Sequence, residues 1–79
     1  MALKIILSST LRRYIPDYDP SKGMEVSVEK GTTITRLCRQ LKIPVDKIKT
    51  VMVNGKSQNL DYSLDGDERI GLFPAVGGG

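Results

Sequence analysis

Hydrophobic and polar residues alternate along four stretches of the chain, the pattern of β-strands with one buried face. The stretches span residues 3–9, 24–31, 48–56 and 68–73, and the alternation is imperfect in the third. The positions expected to face a core are Leu3, Ile5, Leu7, Met24, Val26, Val28, Val51, Val53, Ile70 and Leu72. We expect the first two strands to pair as an antiparallel hairpin.

Between the second and third strands the hydrophobic period becomes that of a helix. Ile34, Leu37, Cys38 and Leu41 follow the i, i+3, i+4, i+7 spacing of one buried stripe. A threonine precedes the stripe as a candidate N-cap, and Pro44 is expected to stop the helix.

The connections carry strong turn signals. Residues 10–23 form a long loop rich in proline, aspartate and glycine, with room for one helical turn at 11–14, and Asn54-Gly55 is the strongest short-range turn signal in the chain. The segment 57–68 is turn-rich, with Leu60 and Leu64 as expected anchors. The order strand, strand, helix, strand, irregular crossing, strand predicts an α+β roll.

One sheet face has no element to cover it, because a single helix covers the other. Met52 and Phe73 are expected on this open face, with Ile6 beside them, while Arg69 and Gly71 also point outward. An exposed apolar patch of this kind is typical of a surface that binds a partner.

Composition narrows the functional classes. The 79 residues are 39% hydrophobic and 27% charged, with one cysteine and no histidine, which favours one small globular domain and excludes an internal disulfide. A reducing, cytoplasmic setting is expected, with no membrane segment and no cofactor. The net charge of +3 is modest, so we predict no nucleic-acid binding.

The chain has little that would serve as a catalytic centre. Phosphate-binding loops and nucleophile elbows are absent from the sequence. Asp65, Asp67 and Glu68 crowd one turn, where we expect a solvated structure in which the aspartates accept backbone hydrogen bonds. Cys38 lies on the apolar stripe and is expected to be buried and inert. The protein is therefore not expected to be an enzyme by itself.

The last residues have almost no side chains. Pro74 is expected to mark the exit from the domain, which divides the chain into a domain at 1–74 and a flexible tail at 75–79 containing Gly77, Gly78 and Gly79. A glycine terminus lets an enzyme close around the backbone, since no Cβ stands in the way. The tail is thus a candidate substrate for another enzyme.

The segments "VMVNG" and "DGDERIGLFPAVGGG" resemble the ThiS/MoaD family of sulfur carriers over essentially the whole chain. The resemblance implies a β-grasp, ubiquitin-like roll, in which a mixed sheet of four to five strands packs one main helix on one face. It also implies that a ubiquitin-activator-like adenylyltransferase of the MoeB/ThiF type adenylates Gly79 with Mg-ATP, and that a sulfur donor converts the product to a thiocarboxylate.

Within the family, "FP" before the tail and the long first loop resemble MoaD, the small subunit of molybdopterin synthase. That resemblance implies the synthase large subunit as a second partner, docked on Phe73, Met52 and Pro74 with Arg69 or Lys49 at the rim. The sequence departs from the usual MoaD ending at Ala75 and Gly77. Carriers for thiazole, tRNA or cysteine synthesis, a ubiquitin-like modifier and a plain β-grasp binding module remain open alternatives.

Overall fold

A computed structural model describes residues 2–75, apart from the side chain of Ser9. Five strands form one mixed sheet: β1 (Leu3–Leu7), β2 (Met24–Val26), β3 (Ile48–Val53), β4 (Lys56–Gln58) and β5 (Arg69–Pro74). Their order is β2-β1-β5-β3-β4, with β1 parallel to β5 and the other pairs antiparallel. Helix α1 (Ile34–Leu41) and the 3-10 segments Ser9–Tyr14 and Val45–Lys47 complete the elements. The predicted α+β roll, with its mixed sheet and one helix, is confirmed.

The core lies between the sheet and α1. The central strand β5 pairs Ile70 with Ile5 and Leu72 with both Leu7 and Val51, so alternate residues of three strands share one buried face. The buried hydrophobic residues are Leu3, Ile5, Leu7, Leu11, Ile34, Leu37, Cys38, Ile43, Val51, Val53, Leu64, Ile70 and Leu72. Met24, Val26 and Val28 pack against this cluster but remain partly exposed.

Helix α1 begins as predicted but ends earlier. The Thr33 hydroxyl accepts the Arg36 N–H at 3.2 Å, the hydrogen bond of an N-cap. The helix stops at Leu41 because Lys42 adopts the left-handed conformation (φ 62°, ψ 34°), which ends the helical hydrogen-bond pattern. Pro44 therefore follows the end of the helix and does not cause it, and Leu41 is only half-buried.

Several strand boundaries differ from the prediction. The second strand spans three residues, since the chain leaves the sheet after Val26, and the first ends at Leu7, where the 3-10 segment follows. The predicted third strand is two strands, β3 and β4, joined at Asn54 (φ 51°) and Gly55 (φ 86°), the positive φ pair of a type I′ turn. The sequence did not predict β4, because its polar residues carry no buried face.

Side chains replace the missing partner strand at the end of β1. Strand β2 pairs only with residues 3–5 of β1. Beyond it, the Leu7 N–H donates to the Tyr18 hydroxyl at 2.8 Å and the Leu7 carbonyl accepts Arg12 Nε–H at 3.1 Å. The 3-10 segment confirms the predicted helical turn and fixes the loop across the edge of the sheet.

The turn before β5 is organised by Glu68, which corrects the expectation of a solvated turn held by aspartates. Glu68 is only 3% exposed. Its carboxylate accepts the N–H groups of Asp65, Gly66 and Asp67 at 2.7, 2.9 and 3.2 Å. Burial acts to raise the pKa of Glu68, but these hydrogen bonds to the ionised form outweigh it, so the pKa lies below its ordinary value.

Candidate functional site

The open face of the sheet carries an apolar patch formed by Ile6, Met52, Gly71 and Phe73, which we call the outer patch. The strand register places Gly71 between Ile6 on β1 and Met52 on β3. Ile6 and Met52 are half-buried, whereas Phe73 is 39% exposed and is the only large hydrophobic residue exposed to that degree in the part of the chain described. The outward positions predicted for these residues are confirmed.

Gly71 makes room for the Phe73 side chain. A Cβ at position 71 would lie 3.2 Å from Cε2 of Phe73 and 3.8 Å from Cβ of Met52. The ring therefore lies back along its own strand over the glycine, an arrangement that also compensates for the missing side chain within a strand. The outer patch is a continuous surface because of this contact.

Arg69 lies apart from Phe73. Both point to the open face, but four residues of strand separate them by about 13 Å. The Arg69 N–H donates to Asn54 Oδ1 at 2.9 Å, and its carbonyl accepts the Asn54 N–H at 2.8 Å. Lys49 lies at an irregularity of register between Ile48 and Thr50, next to the residues paired with Phe73 and Pro74, so it is closer to Phe73 than Arg69 is. Arg69 lies at the other end of the outer patch, beside Gly71.

The chain leaves the sheet beside the outer patch. Pro74 still belongs to β5 and pairs with Ile48, and the Ala75 N–H donates to the Lys47 carbonyl at 3.2 Å. On the other side of β5, the Ser8 N–H donates to the Leu72 carbonyl at 3.1 Å. The exit is thus held on both sides, and only Pro74 lies between Phe73 and Ala75, which are two steps or about 7 Å apart along the extended chain.

A groove flanks the exit. Its walls come from the 3-10 segment that follows β1 and from the residues that precede β3. The lining residues are Thr10, Leu11, Arg13, Tyr14, Asp46, Lys47, Pro74 and Ala75. The predicted tail glycines, Gly77, Gly78 and Gly79, lie outside the described residues.

Within residues 2–75, neither a reactive thiol nor a cluster of metal ligands accompanies the outer patch. Burial raises the pKa of the Cys38 thiol to about 11, which leaves the reactive thiolate scarce at neutral pH. Residues 2–75 contain no cluster of three potential His, Cys, Asp or Glu metal ligands. In the same range no helix is long and apolar enough to cross a bilayer.

Comparison with known proteins identifies the family. The family model described as "ThiS family" matches residues 13–79, which is most of the chain. The chain belongs to the ThiS family. A search of curated proteins gave no significant match to this ThiS-family chain.

Solved structures share its β-grasp fold. SAMP1 from Haloferax volcanii is 19% identical, with a TM-score of 0.69 over 100% of both chains. The Haloferax volcanii HVO 2177 protein is 22% identical, with a TM-score of 0.73 over 100% of this chain and 87% of that one. A putative molybdopterin converting factor subunit 1 from Pyrococcus furiosus is 18% identical, with a TM-score of 0.68 over 95% of this chain and 98% of that one. At these identities the structures establish the fold of this ThiS-family chain.

The sequence predicted the outer patch of this ThiS-family chain, but it did not predict the contacts that hold the patch and the chain exit in place. Phe73 and Met52 share the open face with Gly71, and Arg69 lies on the same face two residues before Gly71, whereas Pro74 follows Phe73 and points to the other face. The role of these residues in binding a partner stays a prediction. The hydrogen bond from Ala75 to Lys47 was not predicted, because backbone pairing beyond a proline leaves no sequence signal. The glycine at position 71 was a usable signal, since an isolated glycine within a strand often marks a close approach by another group.

Proposed function

We propose that this protein is a sulfur carrier whose C-terminal glycine, Gly79, is adenylated and converted to a thiocarboxylate. The observation that carries the proposal is the continuity between the outer patch and the exit of the chain, in a member of the ThiS family. An enzyme that binds Phe73 and Met52 therefore has the emerging tail directly beside it.

The tail suits this chemistry because it offers length without bulk. A carboxylate reacts poorly with sulfur nucleophiles, so attack on the α-phosphate of ATP first forms an acyl-adenylate and releases pyrophosphate. A hydrosulfide-level donor then displaces AMP and leaves –COS⁻ at Gly79. Residues 76–79 extend at most about 14 Å, enough to carry the carboxylate into a narrow site while the domain stays outside.

Two enzymes must use the same docking surface in succession. The first is an adenylyltransferase of the MoeB/ThiF type, and the second is the enzyme that takes the sulfur. Since Phe73 is exposed and contacts Gly71 rather than the core, it is free to form the centre of each interface. Lys49 is the basic residue at the rim nearest Phe73, and Arg69 is the basic residue at the opposite end of the outer patch, beside Gly71.

We propose the large subunit of molybdopterin synthase as the sulfur-accepting partner. The basis is the MoaD-like "FP" before the tail and the fold shared with a putative molybdopterin converting factor subunit. The catalytic residues of sulfur insertion then belong to the large subunit, and this chain supplies the thiocarboxylate.

Intact-mass measurement tests the carrier function. Incubation with the cognate activating enzyme, Mg-ATP and a sulfide source is expected to add about 16 Da, the difference between sulfur and oxygen, and omission of ATP is the control. Addition of the synthase large subunit and its pterin precursor should then remove the 16 Da. Failure to charge with any activating enzyme from the same source contradicts the carrier function, whereas charging without discharge contradicts only the molybdopterin assignment.

A ubiquitin-like modifier is the second candidate, favoured by the fold shared with a small archaeal modifier protein. Here a lysine amine attacks the adenylated or thioester-linked Gly79 and forms an isopeptide bond. Arg69 is the last Lys or Arg in the chain, so trypsin would leave residues 70–79, IGLFPAVGGG, attached to each modified lysine. Detection of that remnant on other proteins in cell extracts would support the modifier function.

A further inference from the structure

A second surface lies at the end of the sheet opposite the tail exit. It is a cleft between segment 27–32 and helix α1, lined by the side chains of Lys30, Arg36, Arg39 and Gln40, and we call it the basic cleft. The Gly31 N–H donates to the Leu64 carbonyl at 2.7 Å and so ties the cleft to the turn that precedes β5. Strand β5 runs from that turn to the tail exit over six residues, about 20 Å, which separates the Gly31 side of the cleft from the exit.

The basic cleft carries a net positive charge. Lys30, Arg36 and Arg39 line it together with one carboxylate, Glu29, so its net charge is +2 in a chain of net charge +3. All four residues are exposed. Arg36 and Arg39 lie one turn apart on the solvent side of α1, because the other side is buried in the core.

The cleft is not built for a compact anion such as free phosphate. Such sites depend on backbone N–H groups that converge on the ligand, and the donors of residues 31–32 and of the first turn of α1 are already satisfied within the protein. Those of Gly31, Thr32, Ile34, Thr35 and Leu37 donate to backbone carbonyls, and that of Arg36 donates to the Thr33 side chain. Recognition is left to long, separate side chains, which fit several anionic groups spaced along an extended chain.

Nucleic acid fits the cleft less well than an acidic peptide. Single strands are bound by exposed aromatic side chains on which the bases stack, and no aromatic residue lines the cleft. Tyr14, Tyr18 and Tyr62 pack against the core, and Phe73 lies on the open face of the sheet.

We propose that the basic cleft binds an extended, carboxylate-rich segment of a partner protein. Its distance from the tail exit allows this contact to persist while the tail lies inside an active site. Exposed ion pairs are individually weak and sensitive to salt. The contact therefore acts as a tether that raises the local concentration of the partner while the outer patch dissociates and rebinds. The tethering role rests on the proposed function of the tail and the outer patch, whereas binding of an acidic segment at the basic cleft does not.

An NMR titration tests the proposal on the full chain. The probe is an oligoglutamate peptide of about eight residues, about 27 Å when extended, at low ionic strength and again at about 0.15 M salt. Amide shifts are expected in residues 27–32 and 36–40 and should diminish at the higher salt. Oligouridylate with the same number of charges is the competing probe.

Two double variants distinguish specific binding at the cleft from attraction by the net charge of the protein. Arg36→Gln with Arg39→Gln should weaken peptide binding about fivefold. Lys22→Gln with Lys56→Gln removes the same charge from exposed positions outside the cleft and should change it less than about twofold. The spectrum of each variant verifies its fold.

Three results would overturn the proposal. The first is an absence of shifts at low ionic strength. The second is an equal loss of affinity in both double variants, which would indicate attraction by net charge alone. The third is tighter binding of oligouridylate than of the peptide at the cleft, which would assign the surface to nucleic acid.

Discussion

The ring of Phe73 lies over Gly71, so that a Cβ at position 71 would come within 3.2 Å of Cε2 of the ring. The ring covers its own strand on the solvent side of the sheet and takes no part in the core. The residue thus combines a large apolar surface with a small role in stability, which separates the effects of its mutation on binding and on folding.

Phe73→Glu should weaken binding to the activating enzyme while the domain remains folded. We expect a loss of affinity of about 2 kcal/mol or more, as for a central interface residue, and a loss of unfolding free energy below about 1 kcal/mol. Calorimetric titration and urea unfolding measure the two quantities. Asn59→Glu, which adds the same charge at an exposed loop position, is the control and should bind normally. A larger loss of stability than of affinity would mean that Phe73 belongs to the core.

Glu68→Gln should destabilise the protein by about 1.5–3 kcal/mol at neutral pH, because a buried carboxylate that accepts three N–H groups is replaced by a neutral amide. Asp67→Asn, which changes an exposed residue of the same turn, should have little effect. Denaturant unfolding at pH 7 compares the three proteins.

The same residue predicts a pH dependence of stability. Because folding lowers the pKa of Glu68, its contribution is present above the unfolded value of about 4.5 and is lost as the pH falls through the folded value. The wild-type protein should therefore lose stability relative to Glu68→Gln as the pH falls below about 4.5. A constant difference between the two at all pH values would contradict this role for the carboxylate.

The core and the helix could be predicted from the sequence because their signals are local. Alternation placed Ile70 and Leu72 in the core, and the spacing from Ile34 to Leu41 defined α1. Strand β4 and the cluster around Glu68 could not be predicted in this way. The strand depends on pairing with β3, and the burial of a carboxylate depends on three N–H groups that only the folded turn brings together.

The end of helix α1 at Lys42 was predicted wrongly from a local signal. Proline is a strong stop signal, so Pro44 was expected to end the helix, but the chain turns two residues earlier at a lysine with φ 62°. Nothing in a lysine side chain favours that conformation, so the sequence gives no sign of it.

Lys42→Gly should stabilise the protein by about 0.5–1 kcal/mol, because glycine adopts a positive φ without steric cost. Lys42→Ala retains a Cβ and should give no such gain, which makes it the matched control. Thermal unfolding compares the variants. An equal gain in both would attribute the effect to loss of the charged side chain and not to the backbone.

Cys38 should resist alkylation in the folded protein. With its pKa raised to about 11 by burial, roughly one thiol in three thousand is ionised at pH 7.5, and the side chain is fully buried. Iodoacetamide should modify the protein rapidly in concentrated urea. Without urea, it should modify only molecules that have transiently unfolded. Rapid modification of the native protein would show that α1 opens readily.

The length of the tail and the identity of its last residue can be tested separately. Removal of Gly79 leaves a chain that still ends in two glycines but is shorter by about 3.5 Å. Because a reacting group displaced by 1 Å already costs about a hundredfold in rate, we expect this truncation to slow adenylation at least that much. Insertion of an alanine after Ala75 in the truncated chain restores the length and should restore the rate of adenylation. Gly79→Ala in the full chain keeps the length but adds a Cβ, and its adenylation should be slow. Pyrophosphate release with the cognate activating enzyme measures the rate for all three variants. Normal charging of the truncated chain would show that the distance from Ala75 to the carboxylate does not set the rate.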